Sequence, residues 1–148
     1  MRIVNSPSGA GSAEQWVRER FAIEVEACRR RQAGTKLIVL IDADRSSVRQ
    51  RISQLDQALR EAEVPAIRIG EEIARLIPKR NIETWIMCLN SEIVNEDADY
   101  KRARDNWTEL IWTAADTLYD WSRPNAPVPA SCVESLRIGI GELQMLGF

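Results

Sequence analysis

The chain contains no histidine. That single absence excludes Ser-His-Asp and Cys-His nucleophilic systems, histidine-activated nucleases and zinc sites built on imidazole. Catalysis must then use carboxylates, Lys, Arg, Tyr, hydroxyls or a hard metal ion, and Mg²⁺ or Mn²⁺ held by carboxylates fits that inventory best. Cysteine is scarce. Cys28, Cys88 and Cys132 are an odd set without Cys-x-x-Cys spacing, and their apolar or small-residue surroundings lead us to expect reduced, buried thiols. No apolar run approaches the roughly 20 residues of a membrane span, and the polar N-terminus carries no secretory h-region. The expectation is a cytoplasmic protein with no membrane partner. A large net charge is also lacking: 20 Lys and Arg against 22 Asp and Glu leave −2. Nucleic acid, if bound, must be held by local clusters of Arg and Lys.

What is present suits one soluble globular domain: 148 residues, 45% hydrophobic and 28% charged. We read residues 1–148 as a single α/β domain, with a sheet core over 1–90 and a helical extension over 91–148. The most telling stretch is Leu37-Ile38-Val39-Leu40-Ile41-Asp42-Ala43-Asp44. A continuous Leu/Ile/Val run followed by a polar helical pattern describes a strand buried on both faces of an α/β sheet. Ligands of such sheets gather at the carboxyl ends of the strands, where Asp42 and Asp44 stand. Two nearby anions there are unfavourable unless a cation lies between them. The plainer role for such aspartates is to turn the chain or cap the next helix, for which Ser46 and Ser47 are also available.

Upstream, Arg2-Ile3-Val4 reads as a short strand. A Ser/Gly/Pro loop leads from it to a helix starting at Ser12, with Gln15 set to complete a capping box. Val17, Phe21, Val25 and Cys28 give that helix an apolar face, and Arg29-Arg30-Arg31 complement its C-terminal dipole as solvated cations, with phosphate binding the lesser reading. The loop Ser8-Gly9-Ala10-Gly11-Ser12 resembles a phosphate loop only in its glycines and lacks the Lys-Ser/Thr that would follow. Downstream of the aspartates, Val48, Ile52, Leu55, Leu59 and Ala62 mark an amphipathic helix. Ala66-Ile67-Arg68-Ile69 is expected as an edge strand ending at Gly70, and Ile73 to Ile77 as another strand or a connector.

The second unusual stretch is Pro78-Lys79-Arg80-Asn81-Ile82-Glu83-Thr84-Trp85. Asn81 is a good N-cap for a helix carrying Ile82, Trp85, Ile86 and Leu89 on one face. Lys79 and Arg80 therefore sit beside the positive end of a helix dipole and repel one another unless an anion is shared, either the Asp pair or a phosphate ligand. Glu83, in the first turn, offsets the dipole or supplies a third carboxylate to a metal. A long helix is expected from Asp97 or Asp105 to Trp121, with Trp107, Leu110, Ile111, Ala114, Leu118 and Trp121 on its stripe. Trp112 and Tyr119 fall off that stripe, to be packed under the Pro124–Pro129 loop or used as stacking or partner surfaces. A last helix, Cys132 to Leu146, closes the chain.

The strand ending in Asp42-Ala43-Asp44, the amphipathic helix after it and the Ile77-Pro78-Lys79-Arg80-Asn81-Ile82-Glu83-Thr84-Trp85 element together resemble the Toprim-like metal-dependent domains. The likeness is to small bacterial ones associated with ATPases and with defence or mobile-element systems, and it covers Arg2 to Leu89. It implies a doubly wound, mostly parallel sheet flanked by helices and a Mg²⁺ or Mn²⁺ site on Asp42 and Asp44, with Glu83 as a further ligand. It also implies phosphodiester cleavage on DNA or RNA, with Lys79 and Arg80 binding phosphate. Lys79 would stabilise developing charge alongside the catalytic carboxylates Asp42, Asp44 and Glu83.

The family also uses a glutamate at the end of an earlier strand, where this chain has Asn5. Three readings stay open: a start upstream of Met1 supplies that strand, Glu83 replaces it, or the domain is a noncatalytic subunit docking on an ATPase partner or on itself as a homodimer. Asp-x-Asp after a strand also occurs in glycosyltransferases, which normally need a longer chain. It occurs too in haloacid dehalogenase-type phosphatases, whose Thr two residues on is Ser46 here.

Overall fold

The computed structural model describes residues 3–6, 13–31 and 34–147. Its elements are α1 (Ala13–Arg30), β1 (Leu37–Leu40), α2 (Val48–Glu61), β2 (Ile73–Leu76), α3 (Ile82–Leu89), α4 (Thr108–Ser122) and α5 (Glu134–Leu146). The class is α/β, as the sequence indicates. Among the described residues, however, the sheet has only two strands, β1 and β2, parallel and in register from Leu37 opposite Ile73 to Leu40 opposite Leu76.

Alternation along the strands builds two cores, one on each face. Leu37, Val39, Ile41 and Ala43 join Ile73 and Ile77 under α1 and α2, with Phe21, Val25, Leu55 and Leu59 filling the layer. On the other face Ala74 and Leu76 meet Trp85, Leu136, Ile140 and Leu143 of α3 and α5, backed by Ala114 of α4. Gly139 lets α5 approach: a Cβ there would stand 2.7 Å from the Trp85 ring, whose Nε1 donates to Ser135 Oγ at 2.9 Å.

Several expectations need correction. β1 is not buried on both faces, because Ile38 and Leu40 are 45% and 48% exposed. It is an edge strand, and α5 lies against β2 rather than over it. Ile3 and Val4 form no strand, while Arg2 and the Ser8–Ser12 loop, including the expected capping serine, lie outside the described residues. Ala66 to Ile69 form no strand either: Pro65 and Ala66 give their carbonyls to Arg29 at 2.8 and 3.0 Å instead of to a ladder. Arg29 is consequently not a solvated cation, since it also pairs with Glu71 at 2.8 Å. The fourth helix starts at Thr108, and Trp112 and Tyr119 are exposed rather than packed under the proline loop. By contrast Ser47 makes a full capping box with Gln50, and the α2 stripe buries Leu55 and Leu59. All three cysteines are free and buried. Burial pushes the Cys28 thiol up and, with Cys88 beside it, the Cys132 thiol to about 12.

Candidate functional site

Backbone pairing brings the two unusual stretches together. The ladder continues past the strands, with Ile41 N–H donating to Leu76 O at 3.1 Å and Ala43 N–H to Pro78 O at 2.8 Å. Pro78 has no N–H to give back, so pairing stops there and both chains leave the sheet side by side. Asp42 and Asp44 thereby emerge next to Lys79 and Arg80.

Beyond Ala43 the chain turns sharply. Ser46 N–H donates to Ala43 O at 2.9 Å, and Asp44 sits at φ 53°, a left-handed conformation that Asp tolerates better than most residues. The turn aims the Asp44 carboxylate at Arg80, whose Nη1 donates to Oδ1 at 2.9 Å. One of the anions that Arg80 needs is thus internal.

The acidic loop is held from beneath by Arg51, a residue of α2 only 2% exposed. Its Nε donates to Asp42 O at 3.0 Å and its Nη2 to Ala43 O at 3.2 Å, while Nη1 binds Gln54 Oε1 at 2.6 Å and pairs with Glu14. Every bond of this guanidinium to the loop goes to backbone carbonyls. The Asp42 carboxylate receives none of them, and its pKa is pushed up to about 6. Burial is the main cause; Lys101 opposes it, Glu83 and Asp44 add to it, and Arg51 opposes it more weakly.

Glu83 enters from the first turn of α3, and its Oε2 is buried with no hydrogen-bond partner among the described residues. Asp42 thus carries a carboxylate disfavoured by burial and by the Glu83 charge, and Glu83 an oxygen with no hydrogen-bond partner among the described residues. Asn81 precedes them as the N-cap residue, but its side chain caps nothing. Nearly fully buried, it donates to Asp99 at 2.9 Å and accepts from Thr84 Oγ1 at 3.2 Å. The expected capping role fails because the Oδ1 that would accept a backbone N–H accepts from Thr84 Oγ1 instead, while Asp99 of the segment 95–101 holds the Nδ2.

That segment was not singled out from sequence. It lies across the basic turn: Asp97 pairs with Lys79 at 3.1 Å, Asp99 approaches Arg80 at 4.0 Å, and the Lys101 charge acts on the Asp42 carboxylate. Asp97 and Asp99 repeat the Asp-x-Asp pattern, which is the signal that could have drawn attention to them. For Arg51 the signal is its place three residues after Val48 and four before Leu55, a cation on the apolar stripe of α2.

The sequence-proposed residues Asp42, Asp44, Lys79, Arg80 and Glu83 thus converge at the carboxyl ends of the two strands. Among the described residues no group of three or more His, Cys, Asp or Glu side chains is placed to hold a metal ion. Oxygen donors suit a hard cation, however, and Mg²⁺ commonly takes one or two carboxylates with water and substrate phosphate completing its shell. The orphaned oxygen of Glu83 and the destabilised anion of Asp42 fit that pattern, whereas Asp44 is committed to Arg80. Comparison of the chain with known protein families, with curated proteins and with solved structures gives no match.

Proposed function

We propose that this chain is a Toprim-like, Mg²⁺-dependent phosphodiesterase domain acting on DNA or RNA. The observation that carries the reading is the meeting of the Asp42 carboxylate, disfavoured by burial, and the unpartnered Glu83 oxygen with Lys79 and Arg80 at the carboxyl ends of parallel strands. Asp42 and Glu83 would hold the ion, and Asp44 would orient Arg80. Bound Mg²⁺ supplies Lewis acidity towards a phosphoryl oxygen. Lys79 and Arg80 bind the nonbridging oxygens of the scissile or adjacent phosphate and stabilise the charge that develops on them. Arg51 keeps the acidic loop in place without neutralising its side chains.

The test is cleavage of duplex and single-stranded substrates in Mg²⁺ or Mn²⁺. Asp42→Asn and Glu83→Gln each abolish it, with circular dichroism unchanged and with loss of any Mg²⁺-induced rise in Tm. Cleavage surviving in both variants removes the reading. A noncatalytic subunit is the second reading, favoured by Trp112 and Tyr119, which are 72% and 60% exposed on α4. It predicts no cleavage under any metal and a self-association or ATPase association that Trp112→Ala weakens.

A further inference from the structure

The segment 95–101 is pinned at both sides of Asp97. Before it, Glu96 accepts from the Ser135 backbone N–H at the start of α5 at 3.0 Å, and Asn95 N–H donates to Tyr100 Oη at 3.1 Å. After it, Asp99 accepts both from the buried Asn81 at 2.9 Å and from Lys101 N–H at 3.0 Å. These bonds tie the segment to two helices that belong to the core. Asp97 differs. Its side chain is 70% exposed and, among the described residues, its one ion pair is with Lys79 Nζ at 3.1 Å, whose ammonium also reaches Ser46 O at 3.5 Å.

A carboxylate on a rigidly held backbone, placed against the cation that is to bind phosphate, has the charge and oxygen chemistry of the ligand itself. We propose that Asp97 is an internal stand-in for a phosphate group: it occupies Lys79 in the free protein and is displaced when a phosphate-bearing ligand arrives. The displacement requires only rotation of one exposed side chain, because the anchors on Glu96 and Asp99 keep the backbone where it is. Exposed ion pairs contribute little, so the exchange is readily reversible. The contact sets a threshold: a single weak anion competes poorly with a tethered carboxylate, whereas a polyanion engaging Lys79 and Arg80 together gains enough to replace it. The inference rests on the phosphate-binding role proposed for Lys79 but needs neither metal nor cleavage.

The experiment is calorimetric titration of the full chain with pyrophosphate, without divalent metal and at low ionic strength. Asp97→Asn binds about two- to fivefold more tightly than the wild type, the range expected for removing one exposed pair. Asp116→Asn, which deletes the same charge from the exposed side of α4, leaves the affinity unchanged. In a Lys79→Gln background the Asp97→Asn gain disappears. Unchanged or weaker binding by Asp97→Asn, an equal gain in Asp116→Asn, a gain that persists without Lys79, or no pyrophosphate binding by any variant each overturns the proposal. A protein that shows the expected pattern yet cleaves nothing in Mg²⁺ retains the inference and loses the phosphodiesterase.

Discussion

The two loops that leave the sheet together are stabilised in opposite ways. After β1, the acidic loop is held by its backbone: Arg51 takes the carbonyls of Asp42 and Ala43, and the Asp42 carboxylate stays undercompensated. After β2, the basic turn is held by its side chains, with Lys79 on Asp97, Arg80 on Asp44, and Asn81 on Asp99. A loop fixed through main-chain atoms keeps its functional groups available. A turn fixed through functional groups must release them to work. The first arrangement suits ligation of a cation that stays, and the second suits a substrate that comes and goes.

The largest expected effect breaks the first arrangement. Arg51→Ala removes the guanidinium donors to Asp42 O and Ala43 O, leaving Ala43 O with Ser46 N–H alone and the half-exposed Glu14 with Arg18 alone; losing two hydrogen bonds from a buried charged group costs about 3 kcal/mol. Chemical denaturation should show that loss as a lower midpoint at unchanged slope. Arg51→Lys restores the charge but not the fork that reaches Asp42 O and Ala43 O together, so it recovers only part of the stability. A loss below about 1 kcal/mol in Arg51→Ala would mean that the loop does not depend on this anchor.

Local features of both loops are legible in the sequence, and their long-range partners are not. The strand and its two aspartates, the capped helix after them and the basic turn are each local patterns, carried by hydrophobic period and turn chemistry over a few residues. Whether β1 was central or an edge was not local: Ile38 and Leu40 look the same in either place, and only the absence of a further strand among the described residues exposes them. The anions that satisfy Lys79 were equally hidden. Asp97 lies 18 residues away in the chain, and nothing near Asn81 announces that its Nδ2 will bind Asp99 and its Oδ1 accept from Thr84. Arg51 was visible as an arginine on an apolar stripe, but its acceptors are carbonyls, which carry no sequence signature.

A smaller effect sharpens the claim that Asp42 is left undercompensated. A carboxyl whose folded pKa is raised from 3.8 to about 6 disfavours its own ionisation, so the folded state binds its proton more tightly than the unfolded chain does. The stability this contributes is fully present below the unfolded value near 4 and is lost as pH rises through about 6. Asp42→Asn carries no such titration. The metal-free variant should therefore match the wild type near pH 4 and exceed it by about 2 kcal/mol at pH 7–8, allowing for the partial exposure of the group. Mg²⁺ should narrow that gap by stabilising only the wild type. A difference independent of pH would show that Asp42 is already balanced by Lys101.

The smallest expected effect on stability tests the second arrangement. Arg80 is 26% and Asp44 59% exposed at the side chain, so their 2.9 Å pair belongs to the surface class worth less than about 1 kcal/mol. Arg80→Gln should shift the denaturation midpoint only slightly while weakening pyrophosphate binding at low salt and reducing its dependence on ionic strength. Asp44→Asn provides the opposite change: it frees Arg80 from its internal anion, tightens pyrophosphate binding and costs equally little in stability. If both substitutions instead destabilised the protein by several kcal/mol, the pair would be part of the scaffold, and the basic turn would resemble the Arg51-held loop rather than contrast with it.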